Sequence, residues 1–453
     1  MAFKDILHNL PEVQPPTEKK LSFNVKLKWT LIILGSFFVL ANIPLYGLAN
    51  NAMARFEYLA IILGTDFGSI ISLGIGPIVM ASIILQLLVG SKILDIDTTS
   101  EEGKKFFGGL QKLMVFFFII FEAMVYVLMK GLEAVPGLAW LVILQLTLGG
   151  LIIVFMDELS HKWGFGSGVS LFIAAGVGWR LFTGLFQFLG PEQTIQLSGK
   201  IPVLITSIIA ANTTEALKSL ATILATVILF LIVVWVQSLK VEVPLSFDRL
   251  RGYGIKWPLS FFYASVIPVI LTAALVANLQ LFGGLLQGWL GHATFLGNYV
   301  QGQAVSGVGF WLGSTNLVEG AITGSLRSIF LLQGLTHIIF FMIFATIFSI
   351  FWVKTSGMDA QAQAHNILSS GLQIPGFRKD ERVLESVLSR YVMPLTVMGG
   401  AAIGLLAATA DLLGTIGSGT ALLLGIMIMF QFYQNIAQQH AMDMHPAMKK
   451  LMG

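Results

Sequence analysis

The sequence predicts an all-α integral membrane protein with ten transmembrane helices, and two observations support this prediction. Of its 453 residues, 55% are apolar and only 11% are charged, whereas soluble domains carry about a quarter charged residues. Ten segments are also apolar over the roughly 20 residues that a helix needs to cross a bilayer. These segments lie near 27–46, 69–89, 112–131, 138–156, 169–188, 219–238, 258–281, 328–353, 391–412 and 420–437.

The amino-terminal tail, residues 1–26, is polar and has none of the features of a cleavable signal peptide. It contains three prolines and no compact apolar stretch beside a small-residue cleavage site. We therefore expect the first span to serve as the membrane-insertion signal.

The distribution of basic residues indicates how the spans are oriented. Ten spans place both termini on one side of the membrane, and 21 of the 27 lysines and arginines belong to that side. Cytoplasmic loops are enriched in Lys and Arg, so both termini are predicted to be cytoplasmic. A miscount by one span would destroy the bias.

The longest loops suggest two halves of five helices each. Cytoplasmic loops are expected at 239–257 and 354–390, and a long outer loop, to which the sequence assigns no role, at 282–327. Because five is odd, the second half would run in the opposite direction to the first. The stretches around Pro77 and Pro268 resemble each other weakly, as an internal duplication would predict.

The predicted organisation follows from these loops. The first half spans 27–188 and is joined by an outer loop, 189–218, to the second half at 219–437. A short cytoplasmic tail, 438–453, follows the last span.

One apolar segment, 53–65, is too short to cross a bilayer at 1.5 Å per residue. Gly64 lies at its end, and further glycines follow at positions 68, 74 and 76. A short half-helix at membrane depth is tolerated only against protein or a water-filled cavity. The segment is therefore either a movable re-entrant element inside a funnel or an amphipathic helix on the outer surface, and the residues alone favour neither.

Few polar side chains lie inside the predicted spans. Glu122 is deep in the third span, where an ionisable group usually faces a cavity or a polar partner; the alternative is a protonated carboxyl used only in helix packing. Gln86 and Asn278 suit hydrogen bonds between helices. Asp157 and Glu158 resemble charges at the end of a span.

The cytoplasmic loops carry the basic stretches 243–258 and 375–391, which contain turn residues and are longer than a connection needs. Orientation alone demands basic loops on this side. Their size and glycine content favour a docking surface for an acidic or RNA-bearing partner.

Several function classes are disfavoured by what the sequence lacks. It has no cysteine and no HExxH, GxxxxGK[ST], GxSxG or GxGxxG motif, and its seven histidines are dispersed. Metalloproteases, nucleotide-binding enzymes and serine hydrolases therefore do not fit. A secondary transporter with a midplane solute site is the main rival to a channel, and an intramembrane hydrolase is a weaker one.

Long motifs in order resemble the SecY family, the alpha subunit of the protein-translocation channel, in its archaeal or eukaryotic-type branch. They are LGIGPIVMASIILQLLVGS (73–91), DEL (157–159), GFGSGVSLFIAAGV (164–177), IPVILTAALVANLQL (267–281), FWVKTSGMD (351–359) and GFRKDE (376–381). The resemblance runs from about Lys26 to the carboxyl end. It implies a channel in the cell membrane that moves unfolded polypeptides across the bilayer and releases hydrophobic segments sideways, without catalysis, cofactor or metal.

The resemblance also implies roles for particular residues. Two inverted halves, hinged at 189–218, would enclose a pore closed by an aliphatic ring: Ile75, Val79, Val169, Ile173, Ile270 and Leu424. A narrow apolar ring repels water and does not hold a passing chain by hydrogen bonds. The segment 53–65 would be the plug, with the residues Phe56, Glu57, Tyr58, Leu59, Ile61, Ile62 and Leu63.

A lateral gate is implied between the second and seventh spans, flanked by the third and eighth. Glu122 and Asn278 match its polar positions, whereas Met80 stands where Ser or Thr is common, which puts an intact polar cluster in doubt. Ribosome contacts are implied at Arg249, Arg251, Arg378 and Lys379. The implied partners are a SecE/gamma subunit, a beta subunit, the ribosome, signal sequences and nascent polypeptides.

Overall fold

The structure, a computed structural model, describes residues 10–18, 21–51, 67–96, 100–188, 198–247, 254–300, 303–369, 372–373 and 380–444. Within these ranges, nine helices are long and apolar enough to cross a membrane. The segment predicted as the second span contains a shorter helix of 15 residues. Helices dominate, as the sequence predicts.

The first half consists of five helices: α1 (Phe23–Ala41), α2 (Gly76–Gly90), α3 (Glu101–Leu128), α4 (Ala139–Trp163) and α5 (Gly168–Phe186). Helix α6 (Lys200–Ile209) lies within the connection between the halves that is predicted to be on the outer side. Residues 67–75, before α2, form consecutive turns and are almost entirely buried. The second span is therefore part helix and part buried irregular chain, which lipid tolerates only when protein covers it.

The second half contains α7 (Thr213–Ser238), α8 (Ile267–Leu290), α11 (Ser328–Thr355), α13 (Glu381–Leu412) and α14 (Gly419–Met444). Two short helices, α9 (Val308–Leu312) and α10 (Leu317–Thr323), lie in the long loop that is predicted to be on the outer side, and α12 (Ala360–Ser369) follows α11. Pro77 and Pro268 occupy the same place, the first turn of α2 and of α8. Proline is favoured there because its missing N–H would be unpaired in any case.

Three small antiparallel sheets connect the helices. Strands β1 (Leu48–Asn51) and β2 (Leu132–Ala134) pair, as do β5 (Asn298–Val300) and β6 (Gln303–Ser306). The loop predicted at 239–257 is a hairpin of β3 (Lys240–Phe247) and β4 (Gly254–Ser260), which β7 (Leu372–Gln373) extends. The two predicted cytoplasmic loops therefore meet in one sheet.

The two halves contact each other along two edges. At one edge α2 packs against α8 and α11, and at the other α5 packs against α14. Within the second half, α11 and α13 approach closely at Gly400 and Gly404, where an added methyl group would lie 2.5 Å from Ser349 Oγ and from the carbonyl oxygen of Phe341. Small residues four apart allow such contact between membrane helices.

Candidate functional site: a channel between two halves

A cavity of about 380 Å³ lies between the halves. Its lining comes from α2, α3, α4 and α5 on one side and from α8, α11 and α14 on the other. Apolar side chains such as Ile78 and Leu271 lie on its walls, and polar groups, including Gln111, Gln431 and Asn435, lie among them.

The six predicted ring residues are aliphatic side chains from both halves. Ile75, Ile173 and Leu424 are fully buried, and Val79 and Ile270 are at most 4% exposed. Val169 is half-buried and packs against the same apolar cluster, to which the other five belong. Three of the six, Val79, Val169 and Ile270, also line the cavity. The cavity thus borders the cluster that contains five of the six and that Val169 packs against.

Glu122 lies on α3, fully buried, and neither of its carboxyl oxygens has a hydrogen-bond partner among the described residues. A methyl group placed on Gly76 would lie 3.0 Å from Glu122 Oε2, so the carboxyl group faces the first turn of α2. Tyr126, one helical turn further along α3, is also buried with a hydroxyl that lacks a partner in the described chain. Burying a carboxyl and a hydroxyl group without hydrogen-bond partners costs free energy.

The other predicted gate residues make no hydrogen bond across the seam to any residue that the structure describes. The Asn278 amide donates to the Ala274 carbonyl of its own helix at 2.9 Å, and Asn278 Oδ1 has no partner among the described residues. Met80 is half-buried on α2. The prediction that Gln86 and Asn278 bond between helices is wrong for Asn278, whose one bond stays within α8, and Gln86 Oε1 is unpaired within the described residues. The helical carbonyl four residues back is simply the nearer acceptor.

The predicted plug residues at 53–65 and the docking residues Arg249, Arg251, Arg378 and Lys379 lie outside the described residues. The strands on either side of the first docking pair are described, and they form the β3–β4 hairpin.

Two aspartates have a structural role that the sequence did not reveal. Asp157, expected to be a charge at the end of a span, accepts a hydrogen bond from the Val169 amide at 2.9 Å. Asp411 accepts one from the Thr420 amide at 2.7 Å. The two aspartates have the same role, because each caps the first turn of the helix that follows its own. The tripeptide Gly-Ser-Gly before each capped residue is a signal that could have revealed them.

The described part of the amino-terminal tail is attached to the end of α4. The Val13 amide donates to Glu158 Oε2 at 2.9 Å, and the Trp163 indole donates to the Gln14 carbonyl at 3.0 Å. Lys162 forms an ion pair with Glu12 and donates to the Val13 carbonyl. Hydrogen bonding to the Lys162 ammonium lowers the pKa of Glu12. The tail is thus an ordered segment over these residues.

Comparison with known proteins identifies the family. The SecY family model matches residues 69–433. The protein translocase subunit SecY of Methanothermobacter thermautotrophicus is 42% identical over 457 residues, which cover 100% of this chain and 98% of the relative.

Two solved structures have the same fold over nearly the full length. A SecY channel, in which the plug domain stabilises the closed state and maintains a membrane seal, superposes with a TM-score of 0.83 at 37% identity, covering 99% of both chains. Sec61 from the canine ribosome–channel complex of the endoplasmic reticulum gives a TM-score of 0.80 at 36% identity, again over 99% of both chains. The predicted fold and function are confirmed: the chain belongs to the SecY family, the multi-pass membrane subunits that form the protein-conducting translocation channel.

Proposed function

We propose that Ile75, Val79, Val169, Ile173, Ile270 and Leu424 form the constriction through which translocating polypeptides pass. The observation that supports this most directly is that three of them, Val79, Val169 and Ile270, come from both halves and line the cavity between those halves, while the other three are buried in the adjoining apolar cluster. An aliphatic constriction excludes water and ions when closed, and it offers a passing chain no hydrogen bonds. The full burial of Ile75, Ile173 and Leu424 fits a closed state.

The lateral gate in this proposal is the seam between α2 and the pair α8 and α11. These helices are in contact, and the unpaired carboxyl group of Glu122 faces the start of α2. Opening at this seam would connect the cavity to lipid, so that an apolar segment of a substrate could partition into the bilayer. The segment 53–65 is proposed as the plug, by analogy with the SecY relative whose plug maintains the membrane seal.

We also propose that the β3–β4 hairpin and the loop between α11 and α13 dock the ribosome, as the canine relative is part of a ribosome–channel complex. The candidate contacts are Arg249, Arg251, Arg378 and Lys379. The protein would lie in the cell membrane with both termini on the cytoplasmic side. A SecE/gamma subunit and a beta subunit would complete a heterotrimer. The concentration of 21 of 27 basic residues on the side of the termini supports this orientation.

A crosslinking experiment tests the constriction. A photoreactive residue replaces Ile270 in the full-length chain, and a ribosome-stalled nascent chain carries a radiolabel. We expect an adduct whose position in the nascent chain shifts as the stall site moves. The matched control replaces Leu281, which is fully buried on the same helix α8 but is not one of the six. Equal labelling from both positions would disprove the assignment.

A further inference from the structure

Four helices carry ring residues near their amino termini, and two of them, α5 and α14, begin in the same way. Each starts with Gly-Ser-Gly, at 166–168 and at 417–419. In both, the serine hydroxyl accepts a hydrogen bond from the amide three residues later, at 3.4 Å from Ser170 and at 3.3 Å from Ala421. The intervening amide, of Val169 or Thr420, is bound by an aspartate of the preceding helix.

The first residues of α5 and α14 are packed too tightly for a larger side chain at either glycine. A methyl group on Gly168 would lie 2.6 Å from the Asp157 Cα atom, and one on Gly419 would lie 2.0 Å from the carbonyl carbon of Ala410. The helix backbone therefore rests directly on the helix before it. Counting four residues from the capped amide leads to Ile173 in one half and Leu424 in the other. Residues four apart share a helix face, so the cap sets the direction in which the ring residue points.

The start of α14 has a further layer of buried contacts. Asp411 also accepts from the Thr420 and Ser418 hydroxyls. Asp411 Oδ2 lies 3.4 Å from Nε2 of His337 on α11. His337 is only 2% exposed, and its Nδ1 donates to the Leu312 carbonyl at 2.7 Å, since a carbonyl can only accept. A continuous line of contacts thus runs from the outer loop through α11 to α14.

We propose that Asp411 and His337 are positioning residues for the channel constriction: together they fix the start of α14 and thereby hold Leu424 in the closed ring. Asp157 has the corresponding role for Val169 and Ile173, without a buried histidine, since its neighbour His161 is 58% exposed at 4.0 Å. The inference also gives the outer loop a role, because the carbonyl of Leu312 at the end of α9 orients the His337 ring. It rests on the proposed ring.

The experiment measures ion leak through the full-length chain, with its co-purifying subunits, in reconstituted vesicles. Asp411→Ala removes the cap, and His337→Asn retains a donor at the Nδ1 position but loses the contact with Asp411. We expect each to raise the leak about fivefold or more, as the loss of a helix cap would predict. His337→Gln, whose amide reaches the Nε2 position, should keep the leak close to that of the unaltered chain. The two histidine variants make the test independent of whether Asp411→Ala folds.

Two controls separate the possible failures. Asn212 caps α7, which carries no ring residue, by accepting from the Glu215 amide at 3.3 Å; Asn212→Ala should lower thermal stability without leak. Leu424→Asn should leak strongly. If Leu424→Asn leaks while Asp411→Ala and His337→Asn leak no more than Asn212→Ala, the positioning role is wrong. If Leu424→Asn does not leak either, the ring proposal itself fails, and the positioning role fails with it.

Discussion

A polar side chain in the constriction should favour the open channel, and Ile270 is the position where this effect can be measured most directly. Ile270 is 4% exposed, belongs to the apolar cluster and borders the cavity. In Ile270→Asn, the closed state would bury an amide among aliphatic side chains, whereas the open state would give it water. Burying an unpaired amide costs about 1–3 kcal/mol by protein mutational data. The open-to-closed ratio should therefore rise roughly 5- to 150-fold.

The matched control is Leu281→Asn. Leu281 is fully buried on the same helix and belongs to the same cluster, but it is not one of the six ring residues. Both substitutions bury an amide, so both should lower the melting temperature. Only Ile270→Asn should change the equilibrium of the pore.

The assay is the decay of an imposed ion gradient across vesicles that contain equal amounts of each variant. We expect faster decay for Ile270→Asn than for the unaltered chain and no change for Leu281→Asn. A parallel translocation assay should show that substrates with weakened signal sequences pass through the Ile270→Asn channel. Equal decay rates for the two variants would show that Ile270 is an ordinary packing residue.

Three further predictions concern other parts of the chain. Gly425→Leu should lower the melting temperature and increase the ion leak, because a methyl group there would lie 2.5 Å from Val177 of α5. Its control is Gly176→Leu, which has open space around its backbone and should change neither the melting temperature nor the ion leak. A fall in pH through the lowered pKa of Glu12 should make the tail more sensitive to protease, because the Lys162 contact favours the ionised carboxylate; sensitivity that does not change in acid would contradict this. Reversing the charge of the docking arginines should weaken ribosome binding and flatten its dependence on salt concentration, and an unchanged salt dependence would exclude them. These arginines are Arg249, Arg251 and Arg378.

Hydropathy and length were enough to locate the membrane segments, because a span must be apolar and must satisfy its backbone hydrogen bonds internally. They could not locate the helix ends. Helix α3 begins at Glu101, well before the predicted 112, because Ser100 caps it by accepting from the Gly103 amide. Helix α13 likewise begins at Glu381, after the capping residue Asp380. Both helices begin with polar residues outside the apolar stretch, where hydropathy gives no signal.

The contacts within the site depended on tertiary structure and could not be predicted from single segments. Asp157 looked like a charge at a span boundary because its partner amide is twelve residues away along the chain. Asp411 and His337 lie on different helices and are far apart in the sequence, so the residues around one give no indication of the other. The ring residues themselves were identified only by the family resemblance, since buried aliphatic residues are the default in membrane helices.

The unpaired polar groups at the proposed gate suggest how the seam can open at modest cost. In the closed arrangement, both oxygens of Glu122 and Oδ1 of Asn278 lack hydrogen-bond partners within the described chain. Separation of α2 from α8 and α11 therefore breaks apolar contacts but no hydrogen bond between these two groups. Water or a substrate backbone that enters the seam would supply the missing partners, and a newly satisfied buried polar group gains about 1–3 kcal/mol. That gain offsets part of the lost packing, so we expect Glu122→Leu, which removes the unpaired oxygens, to hold the gate closed more tightly and slow the lateral release of apolar segments. Faster release by this variant would show that the buried carboxyl group stabilises the closed seam instead.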